Sequence, residues 1–388
     1  NGNEIDPVQA AQALIDALPD EVTADNADEL EAQLVALDAA LAALTDEQYA
    51  QLDMTRFEAL CEAMNNLTAE QANEHSHPIC GAKHTNIGDH TEDKCAGNVT
   101  WTELTVKNGE LYTGTAKVEH YTGGKDAAYN YYKLTEGNYY LGGDIAIDVP
   151  IRIEGSVNLC LNSHSITKTT ETLNTNEYTN GIISIMPGGS FSLCDCLGGG
   201  KITHTAGMHG QGVTGNKKSS DTLTFTMFGG EISGNHAITE TNGSAHNGAG
   251  VEMQGGTFTM YGGKITGNHV EEAQNGYGGG VYMTGGSFTM YDGEISGNTS
   301  TKYGGGVAAI YGSSFVMKGG TISGNTAAQN GGGVYVSGKL ELSGDAVITK
   351  NTATSGDGGG VYYSTYSSYK LTISDTAQIA ENSAGGNG

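Results

Sequence analysis

Four residues in the segment 75–100 have the types and spacing of a metal site. Cys80 follows His77 after two residues, and Cys95 follows His90 after four. Imidazole nitrogens and thiolates are the ligands that Zn²⁺ prefers, and short loops of this kind separate the ligands of structural zinc sites. Four protein ligands leave no open coordination position, so we expect a structural zinc ion and no catalytic metal.

Two other states of this segment remain open. A disulfide between Cys80 and Cys95 suits an extracellular protein, and the segment can also hold neither a metal nor a disulfide. His75 and His84 are replacement ligands for zinc. In the zinc-bound state and in the disulfide-bonded state, the expected role is to staple a segment that is too short to bury a core.

Acidic residues are the next candidates for chemistry. Glycan lyases and hydrolases need two or three acids that converge on one face, or a Ca²⁺ site with an arginine or lysine base. Here the acids are scattered, and Arg152 is the one arginine beyond residue 138. Asp195 and Glu252 are the acids whose substitution would test an enzyme. We therefore expect no catalytic residues. The alternative is a carbohydrate-active enzyme, either a polysaccharide lyase or a glycoside hydrolase.

Aromatic residues recur at equivalent positions and are the expected ligand-binding residues. Phe228, Tyr261 and Tyr291 each follow a similar Thr-Met strand, and Tyr282 and Tyr335 each lie inside a Val-Tyr strand. By alternation these rings face outward, where they suit stacking on sugar rings or contact with a protein. The alternative is that they stack across the sheet and only cover it.

Histidines and cysteines elsewhere are less informative. His236 and His269 both follow an Asn. We expect them either to form a metal-binding or glycan-binding site, or to be exposed polar residues. Cys160 is expected to pack in the core or to form a bridge with Cys194 or Cys196.

Charge and glycine divide the 388 residues into two parts. The first 75 residues hold 17 acidic residues, one basic residue and one glycine, whereas 59 of the 60 glycines follow. The net charge of −26 argues against binding to nucleic-acid phosphate or to an anionic membrane. No run of about 18 apolar residues is present, so we expect no membrane insertion.

The acidic segment 1–74 predicts a small all-α helical bundle. Val8, Ala11, Ile15 and Leu18 share one helical face. Capping boxes begin two further helices, at Thr45–Gln48 and at Thr55–Glu58. A partner-binding helical module is the alternative interpretation.

From residue 138 the chain repeats short strands separated by glycine turns. Four stretches show the unit best, beginning at Gly250, Gly280, Gly306 and Gly333, and each contains three strands. Gly-Asn corners end the third strands, and successive corner Asn residues lie 33, 30, 27, 26 and 31 residues apart. A period of this length with constant strands and one variable loop predicts a right-handed parallel β-helix.

Stacked rungs would place like residues above like. We expect Phe258, Phe288 and Ile295 to point inward, and the corner residues Asn268 and Asn298 to pass amide hydrogen bonds along the solenoid. These asparagines are therefore assigned to structure.

The Gly-Gly-Gly-Val and Ile-Ser-Gly-Asn spacing resembles the repeats of bacterial polymorphic surface adhesins. The stretches Gly137–Leu141, Val157–Asn162 and Leu193–Gly198 resemble secreted or wall-attached proteins of gut Firmicutes. That resemblance implies an acidic helical module, a His/Cys segment and pectin-lyase-like β-helix coils in this order. It implies an extracellular location, secreted or attached to the cell wall.

The sequence thus predicts four segments: a helical bundle at 1–74, a connector at 75–100, a β-helix cap at 101–137 and a right-handed parallel β-helix at 138–388. We expect the β-helix to continue past residue 388. The expected function is non-catalytic adhesion to a host or microbial glycan or to a secreted host protein. A passive structural stalk is a further alternative.

Overall fold

The computed structural model describes residues 6–19, 33, 37, 40, 44–45, 48, 51–53, 55–56, 76–77, 99–122, 130–170, 181–216, 223–238, 247–271, 276–364 and 371–388. The chain divides into two compact units, Asn1–His75 and Ser76–Gly388. Each unit is described by itself.

The first unit contains a helix at Pro7–Asp16. Asp6 caps this helix because its carboxylate accepts a hydrogen bond from Val8 N at 3.1 Å. Ala11 and Ile15 are buried on its inner face, as their spacing predicts. Backbone of helical conformation recurs at residues 33, 37, 40, 48, 55 and 56.

One predicted capping box is confirmed. Gln48 N donates to Thr45 Oγ1 at 3.3 Å, and Thr45 N donates to Gln48 Oε1 at 3.0 Å. Glu58 of the other box lies outside the described residues. Since Pro7–Asp16 is the one helix with complete bounds among the described residues, a helical bundle is not supported and stays a prediction.

The second unit is mainly β and forms a parallel solenoid. Three stacked sheets carry successive sides of each rung, and a shorter fourth sheet joins the later rungs. The strands of the first sheet are Glu119–Tyr121, Tyr131–Leu134, Ile151–Ile153, Gly181–Ile185, Gln211–Asn216, Val251–Gln254, Val281–Thr284, Val307–Ile310, Val334–Val336 and Val361–Tyr363.

The second and third sheets follow along each rung. The second sheet contains Thr102–Lys107, Glu110–Thr113, Ala116–Lys117, Gly137–Leu141, Ser156–Cys160, Ser190–Cys194, Thr224–Met227, Thr257–Met260, Ser287–Met290, Ser314–Met317, Lys339–Leu342 and Leu371–Ile373. The third sheet contains Ile145–Ile147, Ser165–Lys168, Lys201–His204, Glu231–Ser233, Lys264–Thr266, Glu294–Ser296, Thr321–Ser323, Val347–Thr349 and Gln378–Ala380.

The fourth sheet follows the corner asparagines, and the three-strand unit of the sequence repeat does not include it. Its strands are His236–Ile238, His269–Glu271, Thr299–Ser300, Thr326–Ala327, Thr352–Ala353 and Ser383–Ala384. Each is only two or three residues long, too short to show the alternation by which a strand is recognised in a sequence.

The predicted register of the coils is confirmed. Phe258 pairs with Phe288, and Phe288 with Phe315, in adjacent parallel strands of the second sheet. All three rings are fully buried, and their centroids lie 4.5 and 4.8 Å apart. The core therefore runs along the solenoid axis as a column of stacked aromatic and aliphatic side chains.

The edge of the first coil is extended by additional strands. Thr102–Lys107 pairs in parallel with Gly137–Leu141, and Glu119–Tyr121 pairs antiparallel with Tyr131–Leu134. These strands occupy an edge that would otherwise expose unpaired backbone groups. Because Tyr131–Leu134 already stacks on Ile151–Ile153, stacking begins before residue 138.

A two-stranded antiparallel sheet pairs Ser76–His77 with Val99–Thr100. It joins the backbone at the two ends of the His/Cys connector. Cys80, His90 and Cys95 lie outside the described residues, as does the side chain of His77. The zinc and disulfide predictions for this segment therefore stay predictions.

Candidate functional site

Phe228, Tyr261 and Tyr291 form a continuous row, named here the aromatic row. Each residue follows its strand in the second sheet, and its backbone N–H continues the ladder at 2.8 Å to the preceding rung. The ring centroids of Phe228 and Tyr261 are 5.2 Å apart, and those of Tyr261 and Tyr291 are 4.9 Å apart. The rings are partly buried. The structure thus brings together the three residues that the repeat predicted.

The rings of the aromatic row stack face to face. Their planes are inclined by only 6° and 11°, and Lys318 Nζ lies 4.9 Å from the centroid of the Tyr291 ring. The interior faces of the row are therefore covered by neighbouring rings, and one end is covered by an ammonium group. This arrangement can offer ring edges and tyrosine hydroxyls to a ligand.

A row of charged residues runs beside the aromatic row, three positions further along each rung. Glu231, Lys264 and Glu294 are paired in register in the third sheet and are named here the charged row. Lys264 Nζ lies 3.7 Å from Glu294 Oε2. Since Lys264 is exposed and Glu294 is partly exposed, this ion pair contributes little to stability and leaves alternating charge on the surface.

Tyr282 faces away from the core, as alternation predicts, but it is covered. Only 7% of its surface is exposed, and it packs with Ala308, Ile310 and the partly buried Tyr277. Burial, with the nearby charge of Glu252, raises the pKa of Tyr282 well above its usual range. The segment that precedes each first-sheet strand lies over this side of the sheet, so Tyr282 offers little surface to a ligand.

Tyr335 belongs to the same tyrosine cluster and is partly buried. Its ring stacks on Tyr362 at 5.2 Å and lies 4.9 Å from Tyr303. Burial raises the pKa of Tyr335 to about 12. Sequence reasoning missed Tyr277 and Tyr303, although both stand directly before a Gly-Gly-Gly stretch and pair in an isolated parallel bridge.

The two acids offered for catalysis hold the coils together. Asp195 accepts hydrogen bonds from Ser163 N and Gly200 N, each at 2.7 Å. Glu252 is 7% exposed and accepts hydrogen bonds from the side-chain amides of Gln211 and Gln254. Both carboxylates are thus engaged in structural contacts.

Three cysteines gather at the second sheet. Cys160 Sγ lies 3.4 Å from Cys196 Sγ, and Cys194 Sγ lies 3.6 Å from Leu159 O. All three are free thiols. The hydrogen bond with Cys194, with burial, raises the pKa of the Cys160 thiol to about 12. This protonated thiol is unsuited to nucleophilic catalysis.

Histidines gather where the fourth sheet begins. His236 and His269 pair in register, and their ring centroids are 4.7 Å apart. Burial, with the neighbouring imidazoles, lowers the pKa of His236. His204 is more deeply buried, and burial lowers its pKa to about 4.

Comparison with known families agrees with this architecture. The model of the right handed beta helix region matches residues 207–378. With the stacked sheets, this match defines the second unit as carrying a right-handed parallel β-helix. Searches of curated proteins and of solved structures found no match. No helix among the described residues is long and apolar enough to cross a membrane.

Proposed function

We propose that this chain is a non-catalytic binding protein of a bacterial surface, and that the aromatic row contacts a secreted host protein. The observation that carries the proposal is the alignment of Phe228, Tyr261 and Tyr291 on three successive rungs, with a row of alternating charge beside them. The location is extracellular, either secreted or attached to the cell wall.

The composition of this surface suits recognition of a protein. Aromatic side chains supply large contact area at low cost in conformational entropy, and charged residues at the rim fix the register of a partner. The β-helix holds both rows rigidly, because each residue continues a hydrogen-bonded ladder between rungs. A rigid surface loses little conformational entropy on binding.

Ring orientation favours a protein over a glycan as the ligand. A sugar ring stacks on the face of an aromatic side chain, but the faces inside the aromatic row lie against one another at 4.9–5.2 Å. A protein can use ring edges, tyrosine hydroxyls and the charges of Lys264 and Glu294. A glycan would have to rotate the rings and lose their mutual stacking.

A catalytic role has less support. Glycan lyases and hydrolases need acids that are available to the substrate. Glu252 is buried against two glutamine amides, and Asp195 is bonded to two backbone N–H groups. Neither carboxylate has the surroundings of a general acid or base at an open site.

The first 100 residues belong to the same proposal as a supporting module. We propose a small helical bundle at 1–74, supported by the helix Pro7–Asp16 and the capping box at Thr45. We propose that the connector is stapled by zinc on His77, Cys80, His90 and Cys95, or by a Cys80–Cys95 disulfide. The spacing of these residues supports the proposal.

A paired screen tests the ligand class. The purified chain is applied to a panel of secreted host proteins and to a panel of host glycans at equal concentration. The proposal expects saturable binding to a protein from which glycans have been removed. Binding to glycans alone would contradict the choice of ligand, and binding to neither panel would favour a passive stalk.

A further inference from the structure

His236, His269 and Glu271 project from one face of the fourth sheet. His236 pairs with His269 on the next rung, and Ile238 pairs with Glu271. Ala237 and Val270 lie between them and are buried against each other. Because side chains alternate along a strand, the two histidines and Glu271 point to the opposite, outer side.

The ligand atoms of these three residues already converge. His236 Nε2 lies 3.2 Å from Glu271 Oε2, and His269 Nε2 lies 4.0 Å from the same oxygen. One ligand atom from each residue lies within 4.8 Å of the others. Ligand atoms around a tetrahedral zinc ion with bonds of about 2.1 Å stand roughly 3.4 Å apart. Small side-chain rotations therefore bring all three to bonding distance.

We propose that His236, His269 and Glu271 form a binding site for a divalent transition-metal ion, with Zn²⁺ as the expected ion. Two imidazole nitrogens and one carboxylate oxygen are a donor set that zinc accepts in proteins. Three protein ligands leave one position of a tetrahedral site open to water or to an oxygen of a bound molecule. The site is separate from the aromatic row and does not rest on the proposed function.

Thr299 supplies a second contact that suits metal binding. Its Oγ1 lies at short hydrogen-bond distance from Nδ1 of His269. When Nδ1–H donates to this oxygen, the lone pair of Nε2 is left for a metal, and Nε2 is the nitrogen nearer to Glu271. Metal-binding histidines commonly have such an outer partner, which fixes the tautomer and the ring orientation.

The site is confined to two rungs by the sequence of the fourth sheet. In the register of His236 and His269, the following residues are Thr299, Thr326 and Thr352. Hydroxyl groups are weaker ligands for zinc than imidazoles. On the preceding side, the ring of His209 lies 4.9 Å from that of His236. The geometry therefore predicts one ion.

Zinc titration of the full chain tests this site. Since the connector is itself a proposed zinc site, the titration uses a Cys80→Ser/Cys95→Ser background, with zinc chloride as the probe in isothermal calorimetry. The expected result is one ion per chain. Binding should be lost in His236→Ala and in His269→Ala, and should be unchanged in His164→Ala, whose imidazole lies 3.7 Å from Asp144 in another part of the coil.

The role of Thr299 is tested in the same background. Thr299→Val is expected to weaken zinc binding by about tenfold, and Thr299→Ser to restore it. Thermal melting in the presence of a chelator checks that each variant is folded, and zinc should raise the melting temperature of the parent background but not of His269→Ala. No zinc binding in the background, or binding unaffected by His236→Ala and His269→Ala, would overturn the proposal.

Discussion

Asn298 Oδ1 accepts two hydrogen bonds from Asn268, one from its backbone N–H and one from its side-chain amide, both at 3.0 Å. The same pair of bonds joins each described corner from Asn235 to Asn382 to the next corner. The corner asparagines thus form an unbroken ladder, in which each amide satisfies buried backbone groups of its neighbours. This ladder confirms their assignment to structure.

Replacing one member of the ladder should destabilise the β-helix. In Asn298→Ala, the backbone N–H and amide of Asn268 lose their acceptor, and Ile265 O loses its donor at 2.9 Å. We expect the free energy of unfolding to fall by about 3 kcal/mol. Urea denaturation measures this loss, with Asn216→Ala at a less buried position as control. Equal stability of the two variants would contradict the structural role of the ladder.

The inner column of phenylalanines should be equally sensitive. Phe288 is fully buried between Phe258 and Phe315. Phe288→Ala leaves a cavity in this column and should lower the free energy of unfolding by about 3–5 kcal/mol, whereas Phe288→Leu should cost less. Thermal melting of the two variants checks the order. If Phe288→Ala loses no more stability than Phe288→Leu, the column of phenylalanines does not stabilise the core.

Residue alternation predicted much of this architecture but not the surroundings of the outer side chains. The inward position of Phe288 and the ladder of Asn298 follow from the repeat alone. Tyr282 also faces away from the core as predicted, yet Tyr277 packs over it. Alternation shows on which side of a strand a residue lies, and only the path of the preceding segment decides whether that side meets solvent.

Two further features were beyond sequence reasoning for physical reasons. Strands as short as Thr299–Ser300 show no alternation, so the fourth sheet and the convergence of Glu271 with two histidines were not predicted. The repeat aligned the rings of Tyr261 and Tyr291 and left open whether they stack across the sheet or present their faces to a ligand, and the structure shows that they stack. Ring orientation depends on side-chain torsions, which a sequence pattern does not specify.

The asparagine ladder requires glycine at position 280, directly before the first-sheet strand Val281–Thr284. A Cβ atom on Gly280 would lie 2.7 Å from Gly306 O and 3.0 Å from Asn298 Nδ2. Gly280→Ala should therefore lower the free energy of unfolding by about 1–3 kcal/mol through overpacking. Gly143→Ala is the matched control, because a Cβ there meets nothing within 4 Å. If Gly143→Ala is the more damaging in urea, the close packing at Gly280 is refuted.

Stability should fall in mild acid because of His204. Burial lowers its pKa from 6.5 to about 4 in the folded chain, and its Nδ1 lies 2.8 Å from Asn235 Oδ1. Between these two pH values the unfolded chain binds a proton that the folded chain does not. The contribution of neutral His204 is therefore fully present above pH 6.5 and is lost as the pH falls towards 4.

A shift of this size corresponds to about 3 kcal/mol. Urea midpoints measured across this pH range should decline in the parent chain and decline less in His204→Gln, which cannot take up the proton. His164→Gln, at a partly exposed position, is the control and should follow the parent chain. A parallel decline in all three proteins would contradict the role assigned to His204.

The proposal that the aromatic row contacts a protein ligand can be measured directly. Surface plasmon resonance should compare the affinity of the parent chain for the protein ligand found in the screen with that of Phe228→Ala/Tyr261→Ala/Tyr291→Ala. The control is Tyr311→Asn, because Tyr311 lies outside the aromatic row with 75% of its surface exposed, and asparagine tolerates its φ of 53°.

We predict that the triple variant loses at least about thirtyfold in affinity, as expected when a cluster of binding hot spots is removed, while Tyr311→Asn binds as the parent does. Far-ultraviolet circular dichroism and melting temperature establish that the triple variant keeps its fold. A folded triple variant that binds with the affinity of the parent chain would contradict the assignment of the recognition surface to these three residues.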